Sequence, residues 1–461
     1  MNSEYSELKE QKTHRSSKIR YAWMLVCAGI LLFSSAAKAQ DANVKSLSLN
    51  EAIELAKSQN TDVVMAGYAL DAERAKLMQT SAVYLPQLSL EYNAISTNQP
   101  LNVFGFRLMQ QSVTMMDFDP DRLNNPDAYE NFSTAITLKQ PLINPDKMMQ
   151  RSAMRHQVRS SDEQLRAVRS QKQYEVRDLY YRLQLTEKQL EVLQSGYKTA
   201  SEHYRQAVRY FEEGMINRAD MLTARVFKLD MQSKRVETEN ELDAVREKLA
   251  YTLGLSPMVI IHASDELAPQ TQFAKAALAP ADYIDNAMLR TMQYQEQAAN
   301  EMVRAARFSF LPSVNLFGSY EFNDSSAFGF GSDAYMIGAN LSWNLFSGLQ
   351  QYGKVREAQA NQRKSRAMLD SYTNKMAMQL NKARRMLQHA ELQLELSQET
   401  IEQSAEDVRI RTNRYNEGME RLPDLLQAET TLLEARLRYV MSVYQYNLSL
   451  ASIAMIQETE F

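Results

Sequence analysis

Glycine and proline are scarce in this chain, at 13 and 11 among 461 residues, which argues against disorder and suits long helices. Catalytic signatures are missing as well. His156, His203 and His262 are scattered, and His389 stands alone in a helical pattern. No His-Glu-x-x-His, Gly-rich phosphate loop or nucleophile elbow occurs, so no catalytic residue, cofactor or metal site is assigned and the chain is not read as an enzyme. A net charge of −4 does not resemble a nucleic-acid footprint, which would be basic and clustered.

Long apolar runs are also absent. The one run, Trp23 to Phe33, is shorter than the roughly 20 residues that cross a bilayer as a helix. Lys12, Arg15, Lys18 and Arg20 precede it and Ala37-Lys-Ala39 follows, so residues 1–39 read as a cleaved secretory signal. That segment carries six basic and three acidic groups, and its loss would take the net charge from −4 to −7. The only cysteine, Cys27, would leave with it and is not placed as a lipid-attachment site. A mature chain without cysteine has nothing to mispair in an oxidising compartment.

What is present is a duplication. Phe211-Glu-Glu-Gly-Met-Ile-Asn-Arg-Ala-Asp220-Met-Leu-Thr-Ala224 aligns without a gap on Tyr415-Asn-Glu-Gly-Met-Glu-Arg-Leu-Pro-Asp424-Leu-Leu-Gln-Ala428, an offset of 204 from Asp220 to Asp424. Leu138-Lys-Gln-Pro-Leu-Ile matches Leu341-Ser-Trp-Asn-Leu-Phe at an offset of 203, and Tyr84-Leu-Pro matches Phe310-Leu-Pro at 226. The first copy therefore holds about 23 extra residues, which belong in an exposed loop between Ser96 and Glu130. The boundaries that follow are residues 40–256 for the first repeat, 257–279 for a linker and 280–461 for the second repeat.

Proline is missing from Lys147 to Ser256 and from Ser313 to Leu422, and apolar residues in both stretches recur at threes, fours and sevens. Each copy is expected to hold two long helices meeting at its Glu-Gly-Met turn, where Gly214 and Gly418 end a helix in the left-handed conformation. Shorter helices are expected over Leu49 to Ser81 and Pro280 to Phe308. Between them the period changes to 2. Leu88, Leu90, Tyr92 and Ala94 alternate with polar neighbours, as do Phe132, Thr134, Ile136 and Leu138. In the second copy Val314, Leu316, Tyr320 and Phe322 do the same, then Tyr335, Ile337, Ala339, Leu341 and Trp343. Four strands, apolar outward and polar inward, follow the pattern of a transmembrane barrel. Since the smallest such barrels have about eight strands, this one must be shared between chains.

These features together resemble the outer-membrane efflux protein (TolC-like) family, the exit ducts of Gram-negative bacteria. The resemblance runs from Leu47-Ser-Leu-Asn-Glu-Ala-Ile-Glu-Leu-Ala56 through both Leu-Pro strand starts to both tips. Leu341-Ser-Trp-Asn-Leu-Phe-Ser-Gly348 is similar to a family segment that usually carries proline at the place of Asn344. The resemblance implies a mostly α protein with a membrane β-barrel portion: a homotrimer with a twelve-stranded barrel, four strands per chain, on a periplasmic α-helical tunnel. It also implies a channel of a tripartite efflux or type I secretion system, with a periplasmic adaptor and an inner-membrane transporter as partners and outer-membrane lipid around the barrel.

The same resemblance assigns the tips. Asp424 takes the place of a carboxylate ring at the periplasmic constriction, with Glu420 near it. Asp220 takes the place that bonds the tip tyrosine, Tyr415. Gln427 stands where the family often has a second ring aspartate, and Glu420 where some members carry a latch arginine. The competing reading has both aspartates favouring the amides at a helix start. Gly214, Met215, Leu222, Gly418, Met419 and Leu426 are the candidate adaptor-docking surface, with packing between hairpins as the alternative for the two leucines. The 25 methionines raise a soft-metal reading, against which stands methionine's usual role as filler of helical cores. Two further alternatives are a soluble periplasmic coiled-coil scaffold and a periplasmic adaptor, which would have one hairpin where this chain has two.

Overall fold

The proline-free stretches fold as two helical hairpins in the computed structural model, which describes residues 44–274 and 285–459. The signal segment, the end of the linker and Pro280 lie outside the described residues. Helix α5 is Pro145–Glu212 and returns as α6, Arg218–Thr252. Helix α8 is Gln350–Asn416 and returns as α9, Leu422–Gln457. The outgoing helices have 68 and 67 residues, about 100 Å at 1.5 Å per residue.

The return helices, with 35 and 36 residues, are half as long as their partners. Two long helices per copy were expected, and a short helix from the start of each repeat supplies the missing length. The stretch Leu49 to Ser81 is broken into α1, Leu49–Gln59, and α2, Thr61–Gln79. The break is Asn60, whose extended backbone and side chain cap α2. Its Nδ2 also donates to the carbonyl of Thr252, at the end of α6. In the second copy Asn286 caps α7, Ala287–Phe308, and donates to the carbonyl of Ile456 near the end of α9. Each short helix thus meets the end of a return helix through an asparagine that satisfies orphan groups on both.

Apolar residues at helical spacing bury one face of each element around Tyr180, Leu183, Leu249 and Ile261 in the first copy and Leu387 and Ile453 in the second. Strand β1, Val44–Leu47, pairs in parallel with β4, Ile260–Ala263. The segment expected as a linker therefore contributes a strand to the first core. Tyr180 fastens it by donating to the Leu47 carbonyl at 2.9 Å and to Asp265 at 3.0 Å.

The four alternating segments form one antiparallel sheet in the order β2 (Gln87–Thr97), β3 (Tyr129–Ile143), β5 (Ser313–Asp324) and β6 (Ser332–Ser342). Their registers are in phase. Leu88, Leu138, Gly318 and Ile337 form one cross-strand row and Leu90, Ile136, Tyr320 and Tyr335 another, on the same face. The opposite face carries the rows Glu91, Ala135, Glu321, Ala334 and Asn93, Ser133, Asn323, Ser332. On the apolar face Leu88, Leu90, Tyr335 and Ile337 are exposed, an arrangement that suits lipid rather than water. Strands β2 and β6 are the edges of this sheet. The first connecting loop folds around α3, Pro100–Met109, and α4, Pro120–Asn124, held by an Arg107–Asp117 ion pair of 2.9 Å. No described helix is long and apolar enough to cross a membrane.

Candidate functional site at the hairpin tips

The duplicated sequence folds into duplicated turns. Gly214 and Gly418 both have φ of +74°. Met215 N–H donates to the Tyr210 carbonyl at 2.8 Å and Met419 N–H to the Arg414 carbonyl at 2.9 Å. These bonds close the outgoing helices and fix the direction of the turn. Both methionine side chains are exposed and both glycines face open space. The tips therefore present a small apolar knob on each hairpin.

The helix starts beyond the turns differ. Asn217 caps α6 through its Oδ1, which accepts the Asp220 N–H at 2.9 Å, whereas α9 has Arg421 at the cap position with no side-chain cap and Pro423 in its first turn. Asp220 and Asp424 both lie in first turns, where the helix dipole favours a carboxylate. Neither side chain caps. Asp424 instead accepts from Arg421 Nε at 3.2 Å.

Glu420 is not a free charge beside Asp424. Its carboxylate accepts from Arg411 at 2.8 Å and Arg414 at 3.0 Å, and its side chain is 13% exposed. Arg411 also holds Asp407 at 3.0 Å. The tip of the second hairpin is thus a neutralised network of Asp407, Arg411, Arg414, Glu420, Arg421 and Asp424. Arg411 and Arg414 belong to no motif in the sequence, and the turn at Gly418 brings Glu420 back to both.

The hydrogen bond expected between Asp220 and Tyr415 is not made. Tyr415 is buried with Ala207, Ala224, Leu422, Leu425 and Leu426, and its hydroxyl has no partner among the described residues. Burial raises its pKa, and the nearby Tyr210 and the charge of Asp220 add to the rise. The tyrosine is anchored by packing, including a tilted contact with Tyr210 at 6.4 Å.

The repeated leucines separate. Leu426 is 4% exposed and belongs to the tip core, so it is not available for docking, whereas its counterpart Leu222 is 40% exposed. The cause is position: α9 lies on the first hairpin, with Leu433 3.0 Å from the place where Gly196 would carry a side chain. Helix α6 carries Leu222, Val226, Leu229 and Val236 at spacings of four, three and seven, all exposed.

Similar proteins share this build. Alkaline protease secretion protein AprF of Pseudomonas aeruginosa is 24% identical over 79% of this chain and 75% of its own length. Proteases secretion protein PrtF of Dickeya chrysanthemi is 21% identical over 86% of this chain and 84% of its own. Among solved structures, CusC matches with a TM-score of 0.77 at 18% identity, covering 91% of this chain and 95% of that one. The Campylobacter jejuni CmeC outer membrane channel matches with a TM-score of 0.74 at 16% identity, covering 92% of each chain. The family model for the outer membrane efflux protein matches residues 52–255 and 284–456, both repeats nearly end to end, and the chain belongs to that family.

Proposed function

We propose that the chain is the outer-membrane exit duct of a tripartite efflux or type I secretion machine, conducting cargo from an inner-membrane transporter across the periplasm. The observation that carries this reading is a single sheet, apolar on one face and polar on the other, joined to hairpins of about 100 Å. The two sequence relatives are both named for protease secretion, which favours a polypeptide cargo.

A homotrimer is supported by the sheet and by the repeat. Four strands with edges at β2 and β6 cannot satisfy their backbone in lipid unless neighbouring copies close the barrel. In the tunnel, Leu426, Leu433 and Val440 of α9 pack within the chain. Their counterparts 204 residues earlier, Leu222, Leu229 and Val236, are exposed. The groove that α9 occupies on the first hairpin has its copy on the second, so α6 fits the second hairpin of a neighbouring subunit. The trimer would place three Asp424–Arg421 pairs around the axis at the periplasmic entrance, with Met215 and Met419 at its rim facing a periplasmic adaptor.

The test is single-channel conductance of purified protein in planar bilayers, wild type beside Asp424→Ala. Small currents from a trimer, altered in selectivity by the substitution, support both duct and constriction. Absence of insertion would favour a soluble scaffold, and currents indifferent to the change would remove Asp424 from the gate.

A further inference from the structure

We infer that the inserted loop between β2 and β3 is an inward-folded lid that sets the size of what passes the outer mouth of the barrel. The inference rests on the trimeric barrel proposed above and adds an outer size filter to it. The loop lies at the end of the sheet away from the helices, since β2 runs away from α2 and β3 returns to α5. On the polar face, which lines the lumen of a closed barrel, this outer end carries Asn131 and the row Ser133, Asn323, Ser332. Water should wet such residues, yet none of the four is more than 7% exposed within the single chain.

The cover over Asn131 and Ser332 is the end of α3. Ser332 donates its hydroxyl to the Met109 carbonyl, and Gln110 Nε2 donates to Asn131 Oδ1 at 2.8 Å. Asn131 in turn donates to Asn323 Oδ1 at 2.9 Å, so the fastening spans β3 and β5. Tyr129, on the same face, donates to Gln110 Oε1 at 2.7 Å and carries the Arg107 guanidinium 4.6 Å from its ring. Arg107 holds Asp117, which also accepts the amide and the hydroxyl of Thr114 at 2.7 and 2.8 Å. The loop is therefore a braced body fixed to the luminal wall. The outer loop of the second copy turns the opposite way: Phe328 stacks on Tyr92 at 5.0 Å and Phe330 meets Phe322 edge-on at 5.1 Å, and both partners belong to the apolar face.

Size makes the first loop a filter. Three copies of the four-stranded sheet, with strands about 4.8 Å apart and tilted about 40°, close a ring about 24 Å across. A helix with its side chains is about 10 Å wide, so three copies of α3 on the inner wall leave an opening far narrower than the barrel.

The experiment places one cysteine beneath the lid. Thr137 lies on the luminal face four residues inward of Ser133, about 13 Å at about 3.3 Å per residue. The only native cysteine, Cys27, lies in the segment read as signal. Intact cells carrying Thr137→Cys are labelled from outside with a small maleimide and with a maleimide bearing a large polyethylene glycol. With the loop in place the small reagent should react and the large one should be excluded. Replacing residues 100–126 by a short glycine-serine linker should admit both. Gln110→Ala keeps the loop but removes its bonds to Asn131 and Tyr129, and should speed reaction of the large reagent roughly tenfold, in keeping with hydrogen bonds of modest net worth. Entry of the large reagent past the intact loop at the rate of the linker variant would overturn the inference, and so would its exclusion from both. Conductance of the same proteins in planar bilayers keeps the two readings apart: conducting channels whose labelling ignores the loop would overturn the lid alone, whereas absence of insertion would overturn the duct with it.

Discussion

Asn60 and Asn286 perform the same task in the two repeats. Asn60 gives its Nδ2 proton to the Thr252 carbonyl at 2.7 Å, and Asn286 gives its own to the Ile456 carbonyl at 3.2 Å. The asparagines are 226 residues apart, the offset of the Leu-Pro motifs, while the carbonyls are 204 apart, the offset of the tips. One splice has thus been kept through an insertion of about 23 residues, which lies in the loop between β2 and β3 and does not touch it.

Asn60→Ala removes both the cap of α2 and the donor for a buried carbonyl. The expected loss is about 2–4 kcal/mol, combining about 1 for the cap with about 1–3 for an unsatisfied group. Asn60→Ser keeps a cap oxygen and loses the donor to Thr252 without adding a charge, so its melting temperature in detergent should fall between alanine and wild type. Equal melting of all three proteins would mean that packing alone aligns the helices.

The Asp424–Arg421 pair predicts substitutions of opposite sign. Asp424→Ala exposes three unpaired guanidinium groups around a trimeric entrance and should shift conductance toward anions. Arg421→Ala exposes three carboxylates and should raise cation selectivity. Reversal potentials in a salt gradient report both, and shifts of the same sign would break the pairing model.

Leu222 and Leu426 should respond differently to substitution. Leu426→Ala empties part of the tip core and should cost about 2–5 kcal/mol within the subunit. Leu222→Asp puts a charge on a face exposed in the isolated chain, so helicity should persist while the trimer is lost. Light scattering with circular dichroism separates the cases.

Alkaline pH should destabilise the fold through Tyr180 and Tyr444. Burial pushes both up to about 12, helped for Tyr444 by its 2.6 Å bond to Asp178. The unfolded chain releases these protons near about 10, so between the two values it binds fewer protons than the folded chain. Their stabilisation is complete below about pH 10 and is lost as pH rises through about 12. Melting scans should fall across that window, and Tyr444→Phe should flatten the fall.

Local features announced most of the architecture. The duplicated Glu-Gly-Met turns, the prolines bounding the hairpins and the period of 2 in β2, β3, β5 and β6 depend on near neighbours and are legible one residue at a time. The helix break at Asn60 was not legible, because an asparagine in a helical pattern marks an end only once the carbonyl it serves is known. Strand β4 is not legible for the same reason, since its partner β1 lies more than 200 residues away.

At the tips, the sequence by itself determined which residues gather: repeated turns must bring repeated residues to the same end of the molecule. Tertiary structure decided which of them are buried. The pairs of Glu420 with Arg411 and Arg414 and of Asp424 with Arg421 join residues close in the chain, whereas packing buried Tyr415 and left its hydroxyl without a bond. Packing also buried Leu426 while exposing Leu222. The shared residues specify matching turns, and the differing ones, Ile216 against Glu420 and Asn217 against Arg421, set the charge pairs of each tip, but burial depends on which surface lies opposite, and the two copies of the repeat face different surfaces.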